Sequence, residues 1–293
     1  MPRIVILTHR HDPFENANYW LGEVAGIWRR NGFDVRVLHG PGPLDDADVA
    51  VLHVDSTVVP ESHLAFIRRY PKVLNGRVVD TSKRITSNHR VSPGDGHQGP
   101  VIVKTNRNYR GRREATLAFK GLLPQRLADI RPNYSTFIKE TVRAVKELMS
   151  PGCPGLLRGY AIFESVRQVP RHIWENPDLV VERFLPERRD DGLYCVRTWL
   201  FLGAQERNTL FYAKDPIIKS SNIIGREPLS DVPKELRSIR EQLGFDFGKF
   251  DYAISEGRVV LYDANRTPTM GHFAKDQCRS IVELLSQGIE AYL

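Results

Sequence analysis

The sequence predicts an α/β protein whose C-terminal part turns to α+β: an open parallel sheet first, then two smaller α+β subdomains. Three observations predict it. Apolar runs alternate with helix-length amphipathic stretches over the first 80 residues, as in an open parallel sheet. Beyond residue 160 strand-like runs follow one another with few helices between them, as in antiparallel pairing. Residues 250–265 read as a hairpin with an acid on each arm.

The elements follow in order. RIVILT at residues 3–8 reads as a buried parallel strand, the polar stretch HRHDPFENAN as a loop, and residues 17–31 as a helix ending at Asn31–Gly32. Strands at 33–38, 47–54 and 72–74 and a helix at 60–70 complete the first unit, expected over residues 1–82. No glycine-rich dinucleotide fingerprint accompanies it, and GPGPL at 40–44 is a loop. A strand at 99–105 carries Lys104. The polar, basic segment NRNYRGRRE reads as a loop, residues 134–149 as a helix, SPGCPG at 150–155 as a loop and residues 160–166 as a strand, in a unit spanning 83–175. The last unit, 176–293, holds an apolar strand at 179–185, a charged turn PERRDDG, strands at 194–203 and 209–213, a helix at 233–243, the hairpin and a closing helix at 275–292.

Composition narrows the function classes. Lys+Arg number 42 against 35 Asp+Glu, a net charge of +7, which favours an anionic partner. The basic residues are scattered, with only short clusters such as Arg110–Gly111–Arg112–Arg113. A nucleic-acid surface concentrates them and interleaves aromatics, so the surplus points to a polyanionic small molecule such as ATP. Cys153, Cys195 and Cys278 are odd in number and far apart, so neither a disulfide framework nor a cysteine metal site is expected, and a cytoplasmic setting fits. No apolar run is long enough for a membrane span.

The hairpin carries the strongest chemical signal. Asp251 precedes Asp263 by twelve residues, and Asn265 follows two later. Residues two apart on a strand share a face, so Asp263 and Asn265 point the same way, and the opposite arm can bring Asp251 to them around a turn at Glu256–Gly257. Three hard oxygen donors around one point suit Mg²⁺ shared with phosphates. Lys104 on its strand, the acid-rich segment from Glu182 to Asp191, and Arg197 inside an apolar strand complete the pattern, since a guanidinium there needs a carboxylate or phosphate.

In order and spacing these pieces resemble the ATP-grasp superfamily over roughly residues 80–275, above all its carboxylate–amine ligases of the D-alanine–D-alanine ligase, glutathione synthetase and ribosomal-protein glutamate ligase type. The resemblance implies an ATP-grasp fold with two α+β subdomains enclosing ATP. It implies that Lys104, and more weakly Lys83, reach the phosphates, and that Asn106 to Gly111 form the loop closing over them. Glu182, Arg183, Phe184 and Leu185 resemble the adenine-binding hinge. Glu187 is favoured over Asp190 and Asp191 for the ribose hydroxyls. Arg197 resembles the arginine that steadies the transferring phosphate, Lys214 and Lys219 further phosphate contacts, and Asp251, Asp263 and Asn265 the Mg²⁺ ligands.

Three departures qualify the resemblance. Asp263 stands where these ligases usually have glutamate. The loop after Lys104 has one glycine and carries Arg107, Arg110, Arg112 and Arg113. Only about twenty residues separate Lys83 from Lys104. The leading expectation is a ligase that joins a carboxylate to an amine on small-molecule or peptide substrates and releases ADP and phosphate. A phosphotransferase on the same fold and an ATP-binding module with little chemistry are the alternatives. The first loop adds His9, His11, Asp12, Glu15 and Asn18 as candidate substrate contacts, because open α/β sheets bind ligands at the carboxyl ends of their strands. The sequence leaves the oligomeric state open.

Overall fold

The computed structural model describes residues 1–122, 160–271, 273 and 275–293. Three sheets organise them. The first is parallel throughout, in the order β2-β1-β3-β4, with β1 Arg3–Thr8, β2 Asp34–His39, β3 Val49–Leu52 and β4 Val73–Leu74. In β3 every residue is buried, and in β1 every residue after Arg3. That is the burial a sheet covered on both faces produces. Helix α1 (Trp20–Arg30) covers one face with Trp20, Leu21, Val24, Ala25, Ile27 and Trp28, and it ends where Gly32 takes a φ of +87°. Helix α2 (Glu61–Ile67) covers the other.

The second sheet is a three-stranded antiparallel one, β6-β5-β7, formed by β5 Val101–Thr105, β6 Ala161–Phe163 and β7 Leu179–Arg183. Between β4 and β5 lies a one-turn helix α3 (Lys83–Thr86). The basic segment after β5, expected as a loop, is a 3-10 turn at Asn108–Gly111 followed by helix α4 (Arg112–Leu122). Its one glycine, Gly111, has a φ of +65° and sits at the junction; a helix can start directly after it because the residues beyond it are good helix formers. The helix expected at 134–149 and the loop at 150–155, with Cys153, lie outside the described residues. A short helix α5 (Arg171–Glu175) packs on β7.

The third sheet has six strands: β8 Glu187–Arg188, β9 Tyr194–Leu202, β10 Gln205–Ala213, β11 Gly225–Leu229, β12 Phe247–Ser255 and β13 Arg258–Asn265. The main path runs β11-β10-β9-β12-β13, with β8 on β9. One face packs Trp199, Phe201, Phe250 and Tyr252 against helix α6 (Lys234–Leu243) through Leu236. The last helix, α7 (Lys275–Ser286), returns to the beginning of the chain and packs on α1, where Trp28 Nε1 donates to Ser286 O at 2.8 Å.

A buried arginine ties the hairpin to the first sheet. Arg266 is 2% exposed. Its guanidinium donates to the carbonyls of Val78, Val54 (3.0 Å) and Ser56 (2.7 Å). Burial outweighs the carboxylates of Asp55, Asp80 and Glu114 and lowers its pKa to about 10.

Candidate active site

The hairpin geometry decides which side chains meet. Glu256 and Gly257 have φ of +52° and +75°, the pattern of a two-residue turn with both central residues left-handed. That turn pairs Ser255 with Arg258, and the ladder continues to Tyr252 opposite Leu261. Continued without interruption it would set Asp251 opposite Tyr262 and turn Asp263 to the other face. A bulge between Asp251 and Tyr252 shifts the register, so Asp251 faces Asp263 and Lys249 faces Asn265. Bulges re-aim side chains in this way.

The same face continues across the sheet. Lys249 is opposite Leu200, and Leu200 opposite Arg207; Asp251 is opposite Thr198, and Thr198 opposite Thr209. These residues form the floor of a cleft of about 780 Å³. Ile102 and Lys104 of β5, Arg183 at the end of β7, Phe184 and Leu185 beyond it, Tyr262 and Lys83 also line it.

Within the cleft each hairpin acid has a lysine. Lys83 Nζ lies 3.0 Å from Asp263 Oδ1 and donates to Asn108 Oδ1 at 3.3 Å. Lys249 Nζ lies 2.8 Å from Asp251 Oδ2, and Thr198 Oγ1 donates to Asp251 Oδ1 at 2.8 Å. Burial alone would raise the Asp263 carboxyl, but Lys83, Lys249 and Lys104 outweigh it and hold it below the usual range. Burial likewise opposes both lysine charges, and the acids reverse it, so Lys83 and Lys249 are held above theirs.

Lys104 is engaged by a different acid. Its Nζ lies 2.7 Å from Glu182 Oε2, and His89 Nε2 lies 3.2 Å from the same oxygen. Glu182 is 0% exposed. Its burial would push the carboxyl up, yet Lys104 and His89 prevail and its pKa falls to about 2. The Lys104 ammonium also sits 5.1 Å from the Tyr262 ring centroid. Glu182 thus serves the site through Lys104. Around it, Phe184 N–H donates to Pro100 O at 2.9 Å and Tyr262 OH to Leu185 O at 2.6 Å, which fixes the segment over the apolar end of the cleft.

Other sequence candidates are placed elsewhere. Arg197 projects to the opposite face of the sheet from Thr198 and Asp251, beside Tyr252. There it makes a two-pronged pair with Glu187 at 2.6–3.0 Å. Glu187 also accepts from Ile254 N–H at 2.8 Å, so both residues have partners inside the fold. Alternation explains this: odd-numbered 197 follows Trp199 and Phe201 into the core side. Asn106 caps α3, its side-chain oxygen accepting from Arg84 N–H at 3.0 Å. Neither it nor Gly111, Glu182, Glu187, Arg197 or Lys214 lines the cleft among the described residues, whereas Lys219 does. Asp191 pairs with Arg189 at 3.3 Å.

The first loop also differs from expectation. Asp12 is buried and accepts from Tyr19 OH at 3.1 Å, Glu15 pairs with His39 at 3.2 Å, and Asn18 Nδ2 donates to Gly271 O at 3.0 Å. His9 stacks on His63 with centroids 5.8 Å apart and accepts from His11 N–H at 3.2 Å. None of these five lines the cleft among the described residues. The N-terminal sheet contributes Asp55 instead, just past β3. Asp55 accepts from Thr267 Oγ1 at 2.8 Å and Tyr19 OH at 2.7 Å and is paired with Arg113 of α4.

Sequence reasoning missed Lys249 and Tyr262, while Asn108 falls within the segment 106–111 expected to close over the phosphates. Lys249 had a readable signal, because it stands two before Asp251 on the same strand. Tyr262 had none, since the bulge places it.

Among the described residues no three His, Cys, Asp or Glu side chains gather as a metal cluster. Two carboxylates and an amide do converge on one face, and hard oxygens of this kind fit Mg²⁺ if a nucleotide supplies the remaining oxygens. Asn265 Oδ1 accepts from Thr267 N–H at 2.9 Å, so ligation would require that amide to turn.

No family model matches the chain, and no curated protein matches it. Solved structures do. The ATP-grasp ligase PsnB, complexed with a minimal precursor, is 9% identical with a TM-score of 0.50, over 98% of this chain and 99% of that one. The chain has the ATP-grasp fold. Two further solved structures are similar to the chain with lower TM-scores. The D-alanine–D-alanine ligase of Bacillus anthracis has 9% identity and a TM-score of 0.49, over 100% of this chain and 95% of its own. The RimK-domain ATP-grasp protein of Sphaerobacter thermophilus has 13% identity and a TM-score of 0.47, over 99% and 98%. The parallel N-terminal sheet and the α+β units enclosing the cleft are the parts of the ATP-grasp architecture described above. No described helix is long and apolar enough to cross a membrane.

Proposed function

We propose that this ATP-grasp chain binds ATP in the cleft and uses it to join a carboxylate to an amine, releasing ADP and phosphate. One observation carries the reading: Lys83, Lys104 and Lys249 converge with Asp251, Asp263 and Asn265 at one end of a cleft whose other wall is apolar. Three cations and three oxygen donors in one place suit a polyphosphate.

In this reading the adenine lies against Ile102, Leu185 and Tyr262 beside residues 183–185. The phosphates run toward the lysines, with Lys219 at the rim. The γ-phosphoryl group passes to a carboxylate oxygen, and ADP leaves. The amine nitrogen then attacks the acyl carbon: a C–N bond forms, the C–O bond to phosphate breaks, and the nitrogen loses a proton as phosphate departs. The chain's own share is positioning and charge neutralisation. Lys83 and Lys249 exchange their carboxylate partners for phosphate oxygens, while Lys104 is held in place by Glu182 and His89. Mg²⁺ held by Asp251, Asp263 and Asn265 would neutralise the β- and γ-phosphate oxygens.

Calorimetry with ATP and ADP, with and without Mg²⁺, tests the nucleotide half. Mg²⁺-dependent binding supports it, and no binding in any condition removes it. Phosphate release screened over amino acids and peptides tests the ligase half. The alternative on the same fold is phosphoryl transfer to a hydroxyl or other acceptor. A phosphorylated acceptor in the product, instead of an amide, would decide for it.

A further inference from the structure

We propose that His89 is a positioning residue for the nucleotide: when charged it matches the buried Glu182 carboxylate, which leaves the Lys104 ammonium for a phosphate, and nucleotide binding draws a proton onto its ring. This rests on the nucleotide-binding half of the reading above.

Backbone pairing fixes the imidazole in place. The segment that carries it runs along β7: Val91 N–H donates to Val181 O at 3.0 Å, Arg183 N–H donates to His89 O at 2.9 Å, and Arg90 bridges to Glu182. Asn88 ties the same segment to β13. Its Nδ2 donates to Val259 O at 2.9 Å and its Oδ1 accepts from Leu261 N–H at 3.0 Å. His89 itself is 6% exposed, and its ring meets that of Tyr262 edge-on with centroids 6.0 Å apart.

Both ring nitrogens face acceptors. Nε2 lies 3.2 Å from Glu182 Oε2. Nδ1 lies 3.2 Å from Asn88 Oδ1, and the contacts of Asn88 with β13 fix which end of that amide is oxygen. A neutral imidazole has one N–H and sets a lone pair against one of these oxygens, whereas an imidazolium presents an N–H to both. Ser87 Oγ, 3.4 Å from Nδ1, is the hydroxyl that can donate to the neutral ring. Among the described residues neither Nε2 nor the Glu182 oxygens have an aligned hydrogen-bond partner, so Lys104 and His89 act on Glu182 as charges.

Charge balance at the phosphate end gives the proton its effect. Lys83 pairs with Asp263 and Lys249 with Asp251, so neither pair carries a net charge. Lys104 and Glu182 cancel as well while His89 is neutral, and a charged His89 turns that group positive. A polyphosphate arriving beside Lys104 therefore favours the protonated ring. The other neighbours leave this sign unchanged. Tyr262, whose hydroxyl burial pushes up, stays neutral. Lys83 feels Glu182 and Asp263 feels Lys104, but these two match each other. Arg90, next in the chain, is exposed.

The full chain is tested with its histidine rings isotope-labelled and read by NMR, His89 being identified by its contact with the Tyr262 ring. At about pH 7.5, above the phosphate pKa of about 6, ADP with Mg²⁺ should move His89 toward the doubly protonated form. Calorimetry of the same binding in two buffers of different ionisation enthalpy counts protons. The parent should take up more than His89→Gln, by about 0.3–1 proton per ADP, and the variant should bind ADP about ten-fold more weakly. Equal proton uptake in parent and variant, or a His89 ring unchanged by ADP, would overturn the proposal; the spectra of the parent decide it even where the variant fails to fold. A parent that binds no ADP would sink the nucleotide reading. His89 is then judged from the nucleotide-free spectra at about pH 6: a doubly protonated ring supports its charge on Glu182, and a singly protonated ring overturns it.

Discussion

In the N-terminal sheet β3 is buried residue after residue, from Val49 to Leu52, whereas in the C-terminal sheet β9 sends Trp199 and Phe201 to a core and Thr198 to the cleft. The first sheet is covered on both faces and can present chemistry only at its strand ends, as Asp55 does just past β3. The second has one free face, and that face carries Lys249, Asp251, Asp263 and Asn265, toward which Lys83 and Lys104 reach from other elements. Sheets of the first kind hold a scaffold together, while those of the second leave every other residue available to a ligand. Substitutions should therefore divide by sheet: stability losses without functional change in the first, functional losses with little destabilisation in the second.

The sharpest test of that division is the residue that crosses it. Lys104 lines the cleft, yet its ammonium neutralises a fully buried Glu182. Lys104→Met should cost about 3–5 kcal/mol of stability, because an uncompensated carboxylate remains inside, and urea unfolding reads this directly. Unchanged stability would mean the pair is solvated and that the division holds without exception. Next comes Leu52→Ala in the parallel sheet. It should cost about 2–5 kcal/mol, with ADP affinity per folded molecule unchanged by calorimetry. A change in affinity there would break the comparison.

Asp263→Asn should do the reverse. It should leave the fold in place and lower nucleotide turnover by about two orders of magnitude, with Mn²⁺ binding in the presence of ADP weakened in parallel. Parent-like turnover would remove the metal assignment.

The smallest expected effect is a pH slope. His53 is fully buried, its ring nitrogens lack hydrogen-bond partners among the described residues, and burial lowers its pKa to about 3; His63 is lowered to about 4 by the same cause. Both are neutral in the fold and take up a proton when the chain unfolds below about pH 6.5. Their contribution is thus complete above that pH and is lost as pH falls toward the folded values, at about 1.4 kcal/mol per pH unit for each histidine. Between pH 6 and 5, His53→Phe should flatten the measured slope by one proton and leave nucleotide affinity untouched.

Much of this was legible in the chain itself. The run RIVILT, the amphipathic spacing of α1 and the Asn31–Gly32 stop specify local structure through burial, periodicity and backbone freedom, which need no partner to be read. The Glu256–Gly257 turn and the pairing of Asp263 with Asn265 on one face follow from the same local rules, and they carried the ATP-grasp resemblance. The first loop was less legible: Asp12 and Glu15 look available in sequence, yet Tyr19 takes Asp12 where the loop folds back on itself and His39 at the end of β2 takes Glu15.

The sequence determined the elements, the hairpin and the charge types, because those depend on neighbours within a few residues. Tertiary structure alone decided three things. It placed a bulge that sets Asp251 opposite Asp263, where the turn's own register would have paired Asp251 with Tyr262. It gave Arg197, on the reverse face, to Glu187. It brought Lys83, 180 residues away in sequence, to 3.0 Å from Asp263. Each depends on which surfaces meet once the sheets pack, and a charge takes whichever partner that packing leaves within reach.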